Sequence, residues 1–128
     1  MERKKVLIVD DNVEFLEELE DVLKSAGYEV FLCSHGDLAV EEAKRNLPQL
    51  ILLDLKLDGK TGFEIADELS RAPETSGIPI VSMTGHYTEK EYRLLMNVSG
   101  MKECLLKPFK PLDVIARIEH WTESNGAS

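Results

Sequence analysis

The sequence predicts an α/β domain built on a five-stranded, doubly wound parallel sheet in the order 2-1-3-4-5, with helices on both faces. Three observations predict it. Short apolar runs rich in leucine and branched residues recur along the chain, and such runs mark strands buried on both faces. The segments between them carry apolar residues at helical spacing. Strand and helix candidates alternate every ~20–30 residues, the rhythm of βα units.

"VLIVD" at Val6–Asp10 reads as the first strand. Asp11 and Asn12 then offer a helix cap, and Leu16, Leu19, Leu23 and Ala26 mark one helical face, with Gly27 fitting the C-terminal end. "YEVFLC" at Tyr28–Cys33 is the second strand. Gly36–Asp37 start a helix reaching Arg45, with Leu38, Ala39 and Ala43 expected on its apolar face. "LILLD" at Leu50–Asp54 is the third strand, and Thr61 or Gly62 opens the next helix, which carries Phe63, Ile65, Ala66 and Leu69. "RAPETSGIP" is a loop by its prolines and glycine. "IVSMT" at Ile80–Thr84 is the fourth strand, Glu89–Asn97 a polar helix, and "CLL" at Cys104–Leu106 a short fifth strand. Pro111 starts a last helix, with Leu112, Ile115, Ala116 and Ile118 as its apolar residues.

A chain of 128 residues suits one domain, expected over 1–122, with 123–128 a frayed tail or cut linker. Hydrophobic residues at 43% and charged residues at 30% are an ordinary globular balance. The formal charge of -9 argues against direct binding of nucleic acid or an anionic membrane, and is compatible with binding a cation or a basic partner surface. Cys33 and Cys104 lack the spacing of a disulfide framework or a zinc site, and His35, His86 and His120 are not clustered. The N-terminus does not read as a signal peptide, and no run approaches the ~20 apolar residues of a membrane span, so the expected location is the cytoplasm.

In such sheets, ligands bind beyond the carboxyl ends of the strands. Those ends supply Asp10 and Asp11, Asp54, Ser82 and Thr84, and Lys107. Each has a bland reading. Asp11 and Asn12 cap a helix, Asp10 and Thr84 suit turns, and Lys107 suits a solvated strand end. Their shared position on four strands argues for a site. Carboxylates gathered this closely repel and call for a cation, and Mg²⁺ takes oxygen ligands while keeping waters. A carboxylate oxygen left free is then a nucleophile for a phosphoryl group, with Lys107 and Thr84 placed to contact its oxygens. No glycine-lysine phosphate loop is present, so the phosphoryl donor is expected to come from elsewhere.

With "VDD" at 9–11, "LLD" at 52–54, "SMT" at 82–84 and "KPF" at 107–109 in this order, the chain resembles a response regulator receiver domain of two-component signalling over about residues 4–120. The resemblance implies the CheY-like, flavodoxin-like sandwich. It implies Asp54 as phosphoacceptor, charged by a sensor histidine kinase or a histidine phosphotransfer protein. It implies Mg²⁺ held by Asp10, Asp11, Asp54 and the Lys56 backbone carbonyl. Thr84 is the implied switch hydroxyl and Lys107 the implied phosphoryl contact, with a cis Lys107–Pro108 bond. Such a domain catalyses only its own phosphorylation and dephosphorylation. In the family, kinases dock largely on the first helix, here around Val13 and Leu16.

Departures from the family pattern accompany the match. Cys104 stands where the family commonly has an aromatic residue, Asp58 where proline is frequent, and Gly85 where alanine is common. Lys56 and His86 occupy the two variable positions that tune dephosphorylation in the family. Cys104 is read as a small buried hydrophobe, with redox sensing as the other reading. The leading expectation is therefore a phosphorylation switch with an unknown output partner, acting as a monomer or weak homodimer. A second is a degenerate receiver serving as a phosphorylation-independent binding or dimerisation module. A third, a small-molecule hydrolase on the same fold, lacks a recognisable substrate pocket in the sequence. Phe109 is expected to pack under the turn that follows Lys107.

Overall fold

Each apolar run is too short for a helix of its own and is joined to the next by a helical crossover, so every strand runs parallel to its neighbours. The computed structural model describes residues 3–86, 88–98 and 100–123. In order, the chain forms β1 (Lys5–Val9), α1 (Val13–Ser25), β2 (Glu29–Cys33), a 3₁₀ turn (Gly36–Leu38), α2 (Ala39–Asn46), β3 (Leu50–Asp54), α3 (Gly62–Arg71), β4 (Ile80–Thr84), α4 (Glu89–Asn97), β5 (Met101–Leu106) and α5 (Pro111–Glu123). The sheet order is β2-β1-β3-β4-β5, all parallel, as expected. Of the tail expected at 123–128, only Glu123 lies within the described residues, and it closes α5.

Strand alternation divides the core in two. Val6, Ile8, Leu50, Leu52, Val81 and Met83 face Leu16, Leu19 and Leu23 of α1 and Val114 and Ile118 of α5. Leu7, Val9, Ile51 and Leu53 face Ala39 and Ala43 of α2 and Ile65, Ala66 and Leu69 of α3. Both faces of β1 and β3 are therefore dry, which explains runs without polar alternation. Each buried leucine or isoleucine contributes about 1.5–3 kcal/mol of transfer free energy.

Helix ends follow local chemistry. Asn12 caps α1, its side-chain oxygen accepting the Phe15 N–H at 3.1 Å, and Gly27 takes a φ of 99° just past the other end. Thr61 and Glu64 form a capping box at α3.

Three expectations are corrected. Leu38 lies in the 3₁₀ turn and is exposed, because the true helix begins one residue later and buries only Ala39 and Ala43. In α5, Leu112 is 76% exposed and Ala116 is exposed, while Val114 and Ile118 form the core stripe. β5 begins at Met101, earlier than its apolar run, because an edge strand tolerates Lys102 and Glu103 in its ladder.

Candidate functional site

The sheet ladders continue past the strand ends and fix the backbone of the site. The Asp10 N–H donates to the Cys33 carbonyl at 3.1 Å, the Leu55 N–H to Met83 at 3.0 Å, and the Lys107 N–H to Thr84 at 2.7 Å. Alternation then sets direction. Asp10 continues the series of Val6 and Ile8, Asp54 that of Leu50 and Leu52, and Lys107 that of Leu105, all on the α1/α5 side. The result is convergence at one corner. Carboxylate oxygens of Asp10, Asp11 and Asp54 all lie within 4.8 Å of one another.

Lys107 enters from the opposite strand edge through a cis Lys107–Pro108 bond. Its ammonium lies 2.5 Å from Asp10 Oδ2 and 3.7 Å from Asp54 Oδ2. Asp10 is fully buried, and its other oxygen accepts the Asn12 N–H at 2.9 Å. Asp54 is 7% exposed, and its Oδ1 accepts the Lys56 N–H at 3.0 Å. Burial pushes the Asp54 carboxyl up to about 6, helped by the charges of Asp10 and Asp11 and opposed by the Lys56 N–H and the Lys107 ammonium. The corner is thus short of positive charge. Its donors are hard carboxylate oxygens, the chemistry that suits Mg²⁺.

Thr84 continues the alternation of Ile80 and Ser82 on the other side of β4 and is buried. Its hydroxyl donates to the His86 carbonyl at 2.9 Å and accepts the His86 N–H at 3.3 Å, so it is satisfied within its own turn. Gly62 is required by a close approach. A Cβ there would lie 2.4 Å from the Asp54 carbonyl oxygen and 2.7 Å from Leu55 Cα, so the start of α3 presses on the backbone that carries Asp54.

Phe15 was not singled out by sequence patterning. The Lys107 ammonium sits over its ring, 4.0 Å from the centroid, and Phe109 meets that ring edge-on at 5.8 Å between centroids. Phe109 therefore packs beneath the Lys107 turn as expected. The available signal for Phe15 was an aromatic in the first turn after an acid pair. Leu16 heads the apolar stripe through Leu19 and Leu23, as its helical spacing predicts, and is therefore core rather than part of a docking surface, whereas Val13 is exposed. Cys104 is half-buried and burial chiefly pushes its thiol up, away from the thiolate that redox chemistry needs.

The sequence model of the response regulator receiver domain family matches residues 6–119. The chain belongs to that family, whose members are switches of two-component signalling. It is 37% identical over 115 residues to the Escherichia coli transcriptional regulatory protein BaeR, covering 90% of this chain and 46% of BaeR. It is 35% identical over 116 residues to the DNA-binding response regulator MtrA of Mycobacterium tuberculosis, covering 91% of this chain and 49% of MtrA. The chain thus spans about half the length of the curated relatives it matches. The expected absence of a nucleic-acid partner finds no support in relatives so described.

Among solved structures, the Vibrio cholerae chemotaxis protein CheY4 superposes with a TM-score of 0.87 at 26% identity, over 93% of this chain and 98% of CheY4. The receiver domain of the Pseudomonas aeruginosa sensor histidine kinase PA1611, solved with magnesium in its active-site cleft, gives 0.86 at 27% identity, over 95% and 99% of the two chains. No helix among the described residues is long and apolar enough to cross a membrane.

Proposed function

We propose that this chain is a phosphoacceptor switch of the cytoplasm. It takes a phosphoryl group from a histidine kinase or histidine phosphotransfer protein onto Asp54 and changes its partner binding in response. The observation that carries this reading is the meeting of Asp10, Asp11 and Asp54 within 4.8 Å, with one ammonium, Lys107, reaching both Asp10 and Asp54.

Asp10, Asp11, Asp54 and the Lys56 backbone carbonyl are the residues that would hold Mg²⁺. When bound, the ion neutralises charge on the phosphoryl oxygens. An Asp54 carboxylate oxygen attacks phosphorus, the bond from phosphorus to the donor breaks, and the donor keeps the electron pair. Lys107 pairs with a phosphoryl oxygen, and Phe15 and Phe109 keep its side chain aimed there. Thr84 gives up its bond to His86 and donates to the phosphoryl group. The new charge of roughly -1.5 to -2 then shifts a pre-existing equilibrium of the surrounding loops.

Acetyl phosphate with Mg²⁺ tests this by mass spectrometry. Wild type should gain ~80 Da as Asp54 acquires a phosphoryl group and acetate leaves, and Asp54→Asn should gain nothing. No gain by wild type, or equal gain by both, sinks the reading. A phosphorylation-independent binding module is the second reading, favoured by Cys104, a small residue without a ring at the usual aromatic position. It requires equal partner affinity for wild type and Asp54→Asn.

A further inference from the structure

Lys56 and Glu91 bridge two parts of the molecule beside the acceptor. Lys56 follows Asp54 by two residues and donates its backbone N–H to Asp54. Its ammonium lies 3.9 Å from Glu91 Oε1, in the first turn of α4. The same oxygen accepts the Thr88 N–H at 3.0 Å, and the Glu91 N–H donates to Thr88 Oγ1 at 3.1 Å. Glu91 thus serves two masters, the start of α4 and the lysine of the phosphoacceptor loop. The Thr88 N–H, and with it the Lys56 ammonium, hold its carboxyl below the usual range.

We propose that Glu91 is a positioning residue for the phosphoryl chemistry of Asp54, acting through Lys56. It holds the Lys56 ammonium at the α4 side of the site, and phosphorylation draws that ammonium away. The inference rests on the phosphoacceptor reading above. The Lys56 and Glu91 side chains are 56% and 24% exposed, and an ion pair so placed is weak. A phosphoryl group two residues away carries up to about twice the charge of Glu91 and competes for the same ammonium. The two states are linked reciprocally. Whatever loosens Lys56 from Glu91 stabilises phosphorylated Asp54, and phosphorylation loosens the tie to the first turn of α4.

Decay of the acyl phosphate reads this competition. Water oxygen bonds to phosphorus, the phosphorus–oxygen bond to Asp54 breaks, the carboxylate keeps the electron pair, and dihydrogen phosphate leaves. Glu91→Gln removes the charge but keeps an oxygen for the Thr88 N–H, since glutamine also serves a capping box. Wild type, Glu91→Gln, Lys56→Met and the double variant are loaded with acetyl phosphate and Mg²⁺, freed of donor, and followed by mass.

The expected result is a lifetime ~2–3-fold longer in Glu91→Gln, because the freed lysine shields the phosphoryl group, with no effect of Glu91→Gln in the Lys56→Met background. Glu91→Asp, which keeps the charge, should fall back toward wild type. An unchanged lifetime in Glu91→Gln, or the same change with and without Lys56, overturns the inference while leaving the phosphoacceptor reading intact. A wild type that takes up no phosphoryl group overturns both.

Discussion

Asp54 is held in a place that disfavours its charge. Its carboxyl titrates at about 6 in the fold, against an ordinary value near ~4 in the unfolded chain. Between those values the folded chain binds the extra proton. The group therefore favours folding below pH ~4, and that contribution is lost as pH rises through about 6. In metal-free buffer, Asp54→Asn should match wild type near pH ~4 and exceed it near pH ~7 by on the order of 2–3 kcal/mol. Urea unfolding at the two pH values checks this, and equal gains at both contradict it. Added Mg²⁺ should shrink the gap at the higher pH. A sequence shows that a strand ends in aspartate, but not this poise. The poise arises from burial and from two acids that come from a different strand end.

At the scale of elements, α3 is pressed against the end of β3 through Gly62. Gly62→Ala must push Asp54 and Leu55 aside, at a cost of about 1–3 kcal/mol, and should slow phosphoryl uptake as well. Gly77→Ala is the control, with nothing near its added Cβ, and should change neither. Chemical unfolding and the rate of mass gain separate the two effects. The strands β3 and β4 were legible to the residue, because runs buried on both faces carry no competing signal. The face of α5 was not. Leu112 looks apolar in sequence, yet the helix rotates to bury Val114 and Ile118 against β3 and α1 across the core. Similarly β5 hid its first half, since an edge strand carries polar residues that a run-based reading passes over.

For the whole molecule, the order of strands and the corner where the acids meet followed from the sequence, because parallel topology places every strand end on one rim. What the sequence could not supply was the cross-talk on that rim. Phe15 under Lys107, and Glu91 against Lys56, are pairs separated widely along the chain and joined only by folding. Phe15 and Phe109 also line a groove of about 130 Å³ with Glu18, Leu19, Val22 and Pro111, so the lysine turn rests on the α1/α5 face.

Phosphoryl transfer to Asp54 would make an acyl phosphate. Its most direct measurement is peptic mapping of the loaded protein, with and without hydroxylamine, which cleaves acyl phosphates. The expected result is a gain of ~80 Da on the peptide that holds Asp54, removed by hydroxylamine. An adduct on any other residue, or one that survives hydroxylamine, would contradict it.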